Sequence, residues 1–295
     1  MTSLREAVRD AVRALAGAGI GSAEADAVAL AACALKTTTS QVHKLMIMGA
    51  PAPEGLDDLV AERARRVPLQ HLTGKAGFRR LELSVGPGVF VPRFETELVA
   101  GLAIMYLRAA GDGAGLGPRP SPGLPAVVVD LCAGSGAIAL AIKDEVPAAE
   151  VHGVELSEVA HAWAIRNRDD LGLDVDIRLG DATRAFSDLE AGVDVVVSNP
   201  PYIPVGAVPN DPEVRDHDPE VALYGGSCDG LRIPLEVAAR AGVLLRPGGL
   251  LVMEHADVQG DSVPAALRTT GLWQGIQDHE DLNGRPRAVT AVRAR

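Results

Sequence analysis

From Ala126 to its C-terminus the chain alternates short apolar runs with helical stretches, and this order restricts the fold more than any other feature. AVVVDL (126–131), VHGVEL (151–156), DVDIRL (174–179) and VDVVVS (193–198) read as strands: they are rich in β-branched residues and too short for buried helices. AIALAIKDE follows the first strand as a helix, and Ser157 caps another that runs to about Asp170. A helix near 231–245, a strand at 249–254, a helix near 261–270 and a terminal strand pair complete the run. The alternation predicts an α/β fold. Its parallel sheet is covered on both faces, and ligands gather at the carboxyl ends of the strands.

The first 67 residues are organised differently. LREAVRDAVRALAGAG places apolar residues at 4, 8, 12 and 15, close to helical spacing, and ends in Gly17 and Gly19. Ser22 is the expected N-cap of AEADAVALAACAL. Thr39 or Ser40 starts a short helix through Met48, and Pro53-Glu54 opens a fourth to about Val67. Residues 1–75 are therefore expected as a helical domain. Residues 76–93 form a connector, with FRRLELSVGPGVFV (78–91) as a β-hairpin turning at Gly86-Pro87-Gly88. The α/β domain takes 94–295, beginning with a helix from about Glu95 to Arg108. Within it the stretch 109–125, with five glycines and four prolines, is expected to be a flexible surface loop.

Composition narrows the partners. The net charge is -11, and residues 1–75 carry nine Lys/Arg against eight Asp/Glu, so the deficit lies in the α/β half. An acidic surface there disfavours duplex nucleic acid and favours a basic protein surface. The three cysteines are far apart and the seven histidines are scattered, which suggests neither a disulfide framework nor a metal site. No membrane span or secretory signal is evident, so a cytoplasmic protein is expected.

The first strand ends in Asp130-Leu-Cys-Ala-Gly134-Ser-Gly136 and leads straight into a helix. Glycines there let the backbone approach a ligand. Glu155, at the end of the next strand, can accept hydrogen bonds from both hydroxyls of a ribose. Gly180-Asp181, after the third strand, can contact an adenine amino group. Together these residues describe a site for an adenosine-containing cofactor. Gly134-x-Gly136-x-x-Ala139 with a later acid also satisfies the dinucleotide fingerprint, so the glycines alone do not choose between NAD and S-adenosylmethionine. Asp130 favours the latter, because it can engage the cofactor's amino-acid part. The fourth strand decides between them.

That strand stops at Asn199-Pro200-Pro201-Tyr202. Prolines lack a backbone N–H, so the loop offers carbonyl acceptors with few competing donors. The Asn199 oxygen and the Pro200 carbonyl can both accept from a planar NH2 group, and Tyr202 offers a ring against which a flat amide or base can stack. An amide nitrogen is a poor nucleophile because its lone pair is delocalised. Two fixed acceptors orient it and stabilise the positive charge that grows as a methyl group arrives.

NPPY behind such a loop resembles amino methyltransferases generally, including the N6-adenine enzymes of DNA and RNA. The remaining blocks are more specific: PLQHLTGKAGFRRLELSVGPGVFVPRFETELV, DLCAGSGAIALAI, SNPPYIP, EVALYGGSCDGL, LRPGGLLVMEHA and DLNGRPRAV. In order and spacing they resemble the protein release factor glutamine methyltransferase family (PrmC, also called HemK) over nearly the whole chain. The resemblance implies a seven-stranded Rossmann-like methyltransferase sheet and an N-terminal helical domain that helps grip the substrate. It implies S-adenosylmethionine as cofactor, with S-adenosylhomocysteine as product. The substrate it implies is the glutamine of the Gly-Gly-Gln loop of class 1 peptide chain release factors. Carried over by position, Cys132, Ala133, Gly134, Ser135, Gly136, Glu155, Asp181, Ala182 and Asn199 touch the cofactor. Asn199, Pro200, Pro201 and Tyr202 hold the glutamine amide. This chain departs from the family at Cys132, where glycine is usual, and at Phe94, where proline is usual.

Other residues have two readings each. Arg93 and Glu95 can line the cofactor pocket or form a salt bridge at a helix start. NDPEVRDHDPE (210–220) is a solvated acidic loop, or a device that steers a basic protein loop inward. His217 and His255 are read as surface or packing residues, and Trp163 as packing. An adenine methyltransferase, a silent docking module and an NAD enzyme are the rival functions.

Overall fold

The computed structural model describes residues 2–111 and 124–295, so most of the stretch expected as a flexible loop, 109–125, lies outside the described residues. The chain divides into two compact units. One comprises Met1–Lys75, Val85–Pro87 and Pro209–His217; the other comprises Ala76–Ser84, Gly88–Val208 and Asp218–Arg295.

The first unit holds α1 (Leu4–Gly17), α2 (Ala23–Ala34), α3 (Thr39–Ile47), α4 (Leu56–Ala64) and the short α5 (Leu69–Thr73). Leu4, Val8 and Leu15 lie on one face of α1, as their spacing requires, and pack with Leu30, Val42 and Leu56. Ser3 and Glu6 close a reciprocal capping box at the start of α1. Ser22 precedes α2, but its side chain makes no capping bond. Its φ of -97° and ψ of 24° depart from the extended conformation in which a cap aims its oxygen at the helix amides.

Residues 209–217, which take in most of the acidic stretch after NPPY, belong to this unit, and Asp211 and Asp216 stay exposed. Its residues Pro212–His217 form a short helix, α9. Glu213 is buried and accepts from Arg63 Nη1 at 2.6 Å and from Arg66 Nη2 at 2.7 Å, while Arg63 Nε also donates to Asp26 at 2.7 Å. Burial raises the Glu213 carboxyl, but hydrogen bonding with Asp211, Arg63 and Arg66 outweighs it and holds the group at about 2.

In the second unit, β2 (Leu81–Ser84) pairs with β1 (Lys75–Phe78), whose first residue belongs to the helical unit. The chain reverses at Arg79-Arg80, not at the expected Gly86-Pro87-Gly88. Reversal there buries Phe78, Leu81 and Leu83 together. The positive φ of Arg79, 52°, is held by two acids: its N–H donates to Glu97, and its guanidinium bonds Glu145.

The main sheet contains β3 (Val127–Leu131), β4 (Glu150–Glu155), β5 (Val175–Leu179), β6 (Val193–Ser198), β7 (Leu245–Glu254), β8 (Trp273–Glu280) and β9 (Pro286–Arg293). The order β5-β4-β3-β6-β7-β9-β8 makes seven strands, parallel except where β9 runs antiparallel to both of its neighbours. Helices α6 (Glu97–Gly111), α7 (Ala137–Glu145), α8 (Glu158–Leu171), α10 (Arg232–Leu244) and α11 (Ser262–Thr269) complete the unit. Side-chain alternation along β6 sends Val195 and Val197 into a core with α6 and α7, and Val196 into a second core with α10. The central strands β3 and β6 are therefore buried along nearly their whole length. The chain leaves β3 toward β4 on one side and later lays β6 on the other. That arrangement opens a crevice at the carboxyl ends of β3 and β6.

Candidate active site

Strand register assembles the site. Leu131 pairs with Val154 on one side and with Ser198 on the other, and Ser198 pairs with Met253. The next residues, Cys132, Glu155, Asn199 and Glu254, therefore emerge at one edge of the sheet. The Ser198 hydroxyl donates to the Leu131 carbonyl, tying the two strand ends together.

The loop after β3 is held by its neighbour strand. Cys132 and Ala133 both donate N–H bonds to the Val154 carbonyl, at 3.2 and 2.9 Å. Gly134 N–H donates to Glu155 Oε2 at 2.8 Å, and Ser157 N–H donates to Oε1 at 2.8 Å. Glu155 stays partly exposed, and its backbone carbonyl accepts from Gly180, which brings Asp181 beside it. Asp181 is exposed, its carboxyl lowered by hydrogen bonds from the Thr183 backbone and side chain. Ala182 is partly exposed next to it. Ser135 and Gly136 are buried.

Two positions in this loop explain their residue types. Gly134 has φ +57°, and a Cβ built there meets nothing within 4 Å, so it faces open space. Cys132 has φ +76°, the left-handed region that favours glycine and costs other residues on the order of 1–2 kcal/mol. The glycine usual at that position in the family thus has a backbone reason.

Asp130 lies beneath the loop. It is fully buried, and its Oδ2 accepts from the Ala139 N–H of α7 at 3.2 Å. Burial pushes its carboxyl up to about 7 against that hydrogen bond, and the Glu155 charge adds to the rise. It braces the turn into α7 from beneath, and its Oδ1 has no hydrogen-bond partner among the described residues.

The Asn199–Tyr202 loop is held by residues distant in sequence. Asn199 Nδ2 donates to Thr96 Oγ1 at 3.2 Å, so the amide nitrogen and not its oxygen faces Thr96. The Tyr202 hydroxyl donates to Glu254 Oε1 at 3.0 Å, and its carbonyl accepts from Gln259 Nε2 at 3.1 Å. Ile203 N–H donates to the Leu223 carbonyl, and Gly225 N–H donates back to Ile203, a parallel bridge that fastens the loop to 223–230. Pro200 is buried, while Pro201 and Tyr202 are partly exposed. Sequence reasoning missed Thr96, Gln259 and Glu254. Their only signal was membership of blocks near VPRFETE and VMEHA, without an assigned role.

The remaining candidates separate cleanly. Arg93 bonds the buried Asp218 at 2.8 Å, which is the salt-bridge reading. His255 is fully buried, its Nε2 2.7 Å from Asp278 Oδ1. Phe94 is 81% exposed, so the departure from proline packs against little. Trp163 is partly exposed, with the Arg166 guanidinium 5.4 Å from its ring centre.

A glycine turn after β3, a carboxylate ending β4 and NPPY after β6 define an S-adenosylmethionine-dependent α/β methyltransferase. The "Methyltransferase small domain" family matches residues 121–209, and "PrmC N-terminal domain" matches residues 6–74. The release factor glutamine methyltransferase of Streptomyces coelicolor is 52% identical over 238 residues, 80% of each chain. That of Mycolicibacterium smegmatis is 43% identical over 298 residues, 99% of each. The chain belongs to the release factor glutamine methyltransferase family. It is also 40% identical, over 83% of its length and 80% of the relative's, to a 4-amino-L-phenylalanine/4-methylamino-L-phenylalanine methyltransferase of Streptomyces pristinaespiralis.

Proposed function

We propose that this enzyme transfers a methyl group from S-adenosylmethionine to the side-chain amide nitrogen of the glutamine in the Gly-Gly-Gln loop of class 1 peptide chain release factors. The observation that carries the reading is the Asn199 amide, turned with its nitrogen on Thr96 and its oxygen left to accept from an incoming NH2 group. The residues present suit the cofactor: Gly134 faces open space, and Glu155 is a partly exposed carboxylate. Glu155 would hold the ribose hydroxyls and Asp181 with Ala182 the adenine. The backbone of Cys132, Ala133, Gly134, Ser135 and Gly136 would border the amino-acid part. When bound, the cofactor supplies an electrophilic methyl group on a sulfonium.

The protein's own contribution is orientation. Asn199 Oδ1 and the Pro200 carbonyl accept the two amide hydrogens and stabilise the positive charge that grows on nitrogen. Pro201 stiffens the loop, and the Tyr202 ring packs against the planar amide. The helical domain, near neutral in charge, would dock the release factor, and the enzyme would work in the cytoplasm. No helix among the described residues is long and apolar enough to cross a membrane.

Purified enzyme, S-adenosylmethionine and a release factor, followed by peptide mass spectrometry, test this reading. One added methyl on the loop glutamine, absent with a glutamine-to-alanine factor and with Asn199→Ala enzyme, is expected. Methyl on free 4-amino-L-phenylalanine or on adenine of added RNA, with none on the factor, would overturn it.

A further inference from the structure

Tyr202 is held at both ends. Its hydroxyl donates to Glu254 Oε1 at 3.0 Å, while its backbone carbonyl accepts from Gln259 Nε2 at 3.1 Å. Gln259 is buried and closes a single helical turn, Asp257–Gln259, just past the end of β7. Its Oε1 accepts from the Ala256 N–H at 3.0 Å, and its Nε2 also donates to the Asp229 carbonyl at 2.9 Å. All three partners are backbone groups with fixed roles, one donor and two acceptors, so the Gln259 amide has a single orientation. The Asp229 carbonyl comes this close because a glycine follows it. Gly230 has φ +74°, and a Cβ there would lie 2.1 Å from the Tyr202 oxygen and 3.0 Å from Gln259 Nε2. Asp229 is itself fixed, its Oδ1 accepting from the Leu231 N–H at 3.1 Å and from Ser227 Oγ at 2.6 Å. One amide thus ties together two loops that lie 57 and 30 residues before it.

We propose that Gln259 is a positioning residue that, through the Tyr202 carbonyl, fixes where the Tyr202 ring stands against the substrate amide. The proposal rests on the role given to Tyr202 above. A buried amide held by three backbone partners can shift only by breaking hydrogen bonds that no water replaces. The Tyr202 main chain is pinned from one side and its phenol from the other, which leaves the ring no free end. A ring held in this way keeps the substrate amide in plane and its nitrogen in line with the arriving methyl group. Misplacement by about 1 Å costs such a reaction on the order of 100-fold in rate. The polar atoms of Gln259 are all taken by backbone, so it acts on the reaction through Tyr202. Its loss should appear in the rate and not in binding.

Wild type, Gln259→Glu, Gln259→Met, Tyr202→Ala and the double variant Gln259→Glu with Tyr202→Ala are compared on the release factor. Gln259→Glu keeps the Ala256 bond but sets an oxygen against the two carbonyls, and Gln259→Met keeps the length and donates nothing. Each should lower kcat by about 10- to 100-fold. KM and cofactor affinity should stay within about threefold of wild type. Once Tyr202 is alanine, Gln259→Glu should cost no more than about a further twofold, because the ring it positions is gone. Equal losses with and without the ring would show a purely structural tie and overturn the proposal. So would wild-type kcat in both Gln259 variants, or a loss confined to KM or cofactor binding. In wild-type enzyme the Gln259 side-chain NH2 should exchange with deuterium about 100-fold more slowly than that of an exposed glutamine. Free exchange would overturn the proposal even if neither variant folds. Absence of wild-type transfer to the factor would instead overturn the substrate reading, and the exchange would still judge the hold on Tyr202.

Discussion

The two loops at the sheet edge are built on different principles. The loop after β3 is fastened by the strand beside it: Val154 and Glu155 take three of its N–H groups. The NPPY loop is fastened by partners gathered from far along the chain: Thr96, Leu223, Gly225, Glu254 and Gln259. The first works through backbone shape, so small residues suffice. The second works through the direction of side-chain hydrogen bonds, so it needs an organised surround. A shared device lies beneath them, since each rests on a buried carboxyl raised to about 7, Asp130 under one and Glu254 under the other.

Four measurements break or sharpen that contrast. Asn199→Ala should have the largest effect, a fall in kcat of about 10²–10³-fold measured in single-turnover transfer, with cofactor affinity by calorimetry almost unchanged. Gly225→Ala comes next. Its Cβ would fall 1.9 Å from the Gly230 carbonyl oxygen, so backbone must move and the NPPY staple opens. About 3 kcal/mol lost in urea unfolding is expected, with activity falling further than cofactor binding.

Asp130→Asn and Glu254→Gln probe the shared device. Each carboxyl binds its proton more tightly folded than unfolded. The stability it contributes is present below its unfolded value near 4 and is lost as pH rises toward 7. Relative to wild type, both variants should gain thermal stability between pH 4.5 and 8, read as a widening Tm difference. An equal difference at both pH values would show that the carboxyls do not titrate as burial requires. The smallest effect should come from Cys132→Gly, which relieves the positive φ and should stabilise by about 1 kcal/mol while leaving kcat intact.

Much of this was legible from residue order. The strands after β3, the glycine turn, Glu155 and NPPY each announce themselves within a few residues, because β-branched runs and strand-to-helix glycines have local causes. The hairpin turn was misplaced for a complementary reason. Gly86-Pro87-Gly88 carries the stronger local turn signal, yet Arg79-Arg80 makes the turn, because Glu97 and Glu145 hold Arg79 and three apolar side chains are buried together. Asp130 ends a strand at the pocket, and that position alone offers it as a ligand contact. Only the tertiary structure shows that it also braces α7 from a fully buried position.

The sequence by itself determined the α/β sheet, its ligand-bearing edge and the chemical types present there, since periodicity and local dihedral preference act over a few residues. Tertiary structure alone decided that Glu213 is buried with Arg63 and Arg66, and that Thr96 and Glu254 meet the NPPY loop. Those contacts join residues 52 to 150 positions apart. Which polar atoms pair at such separations depends on how the sheet register and the helix packing bring them together in space, and no local pattern records it.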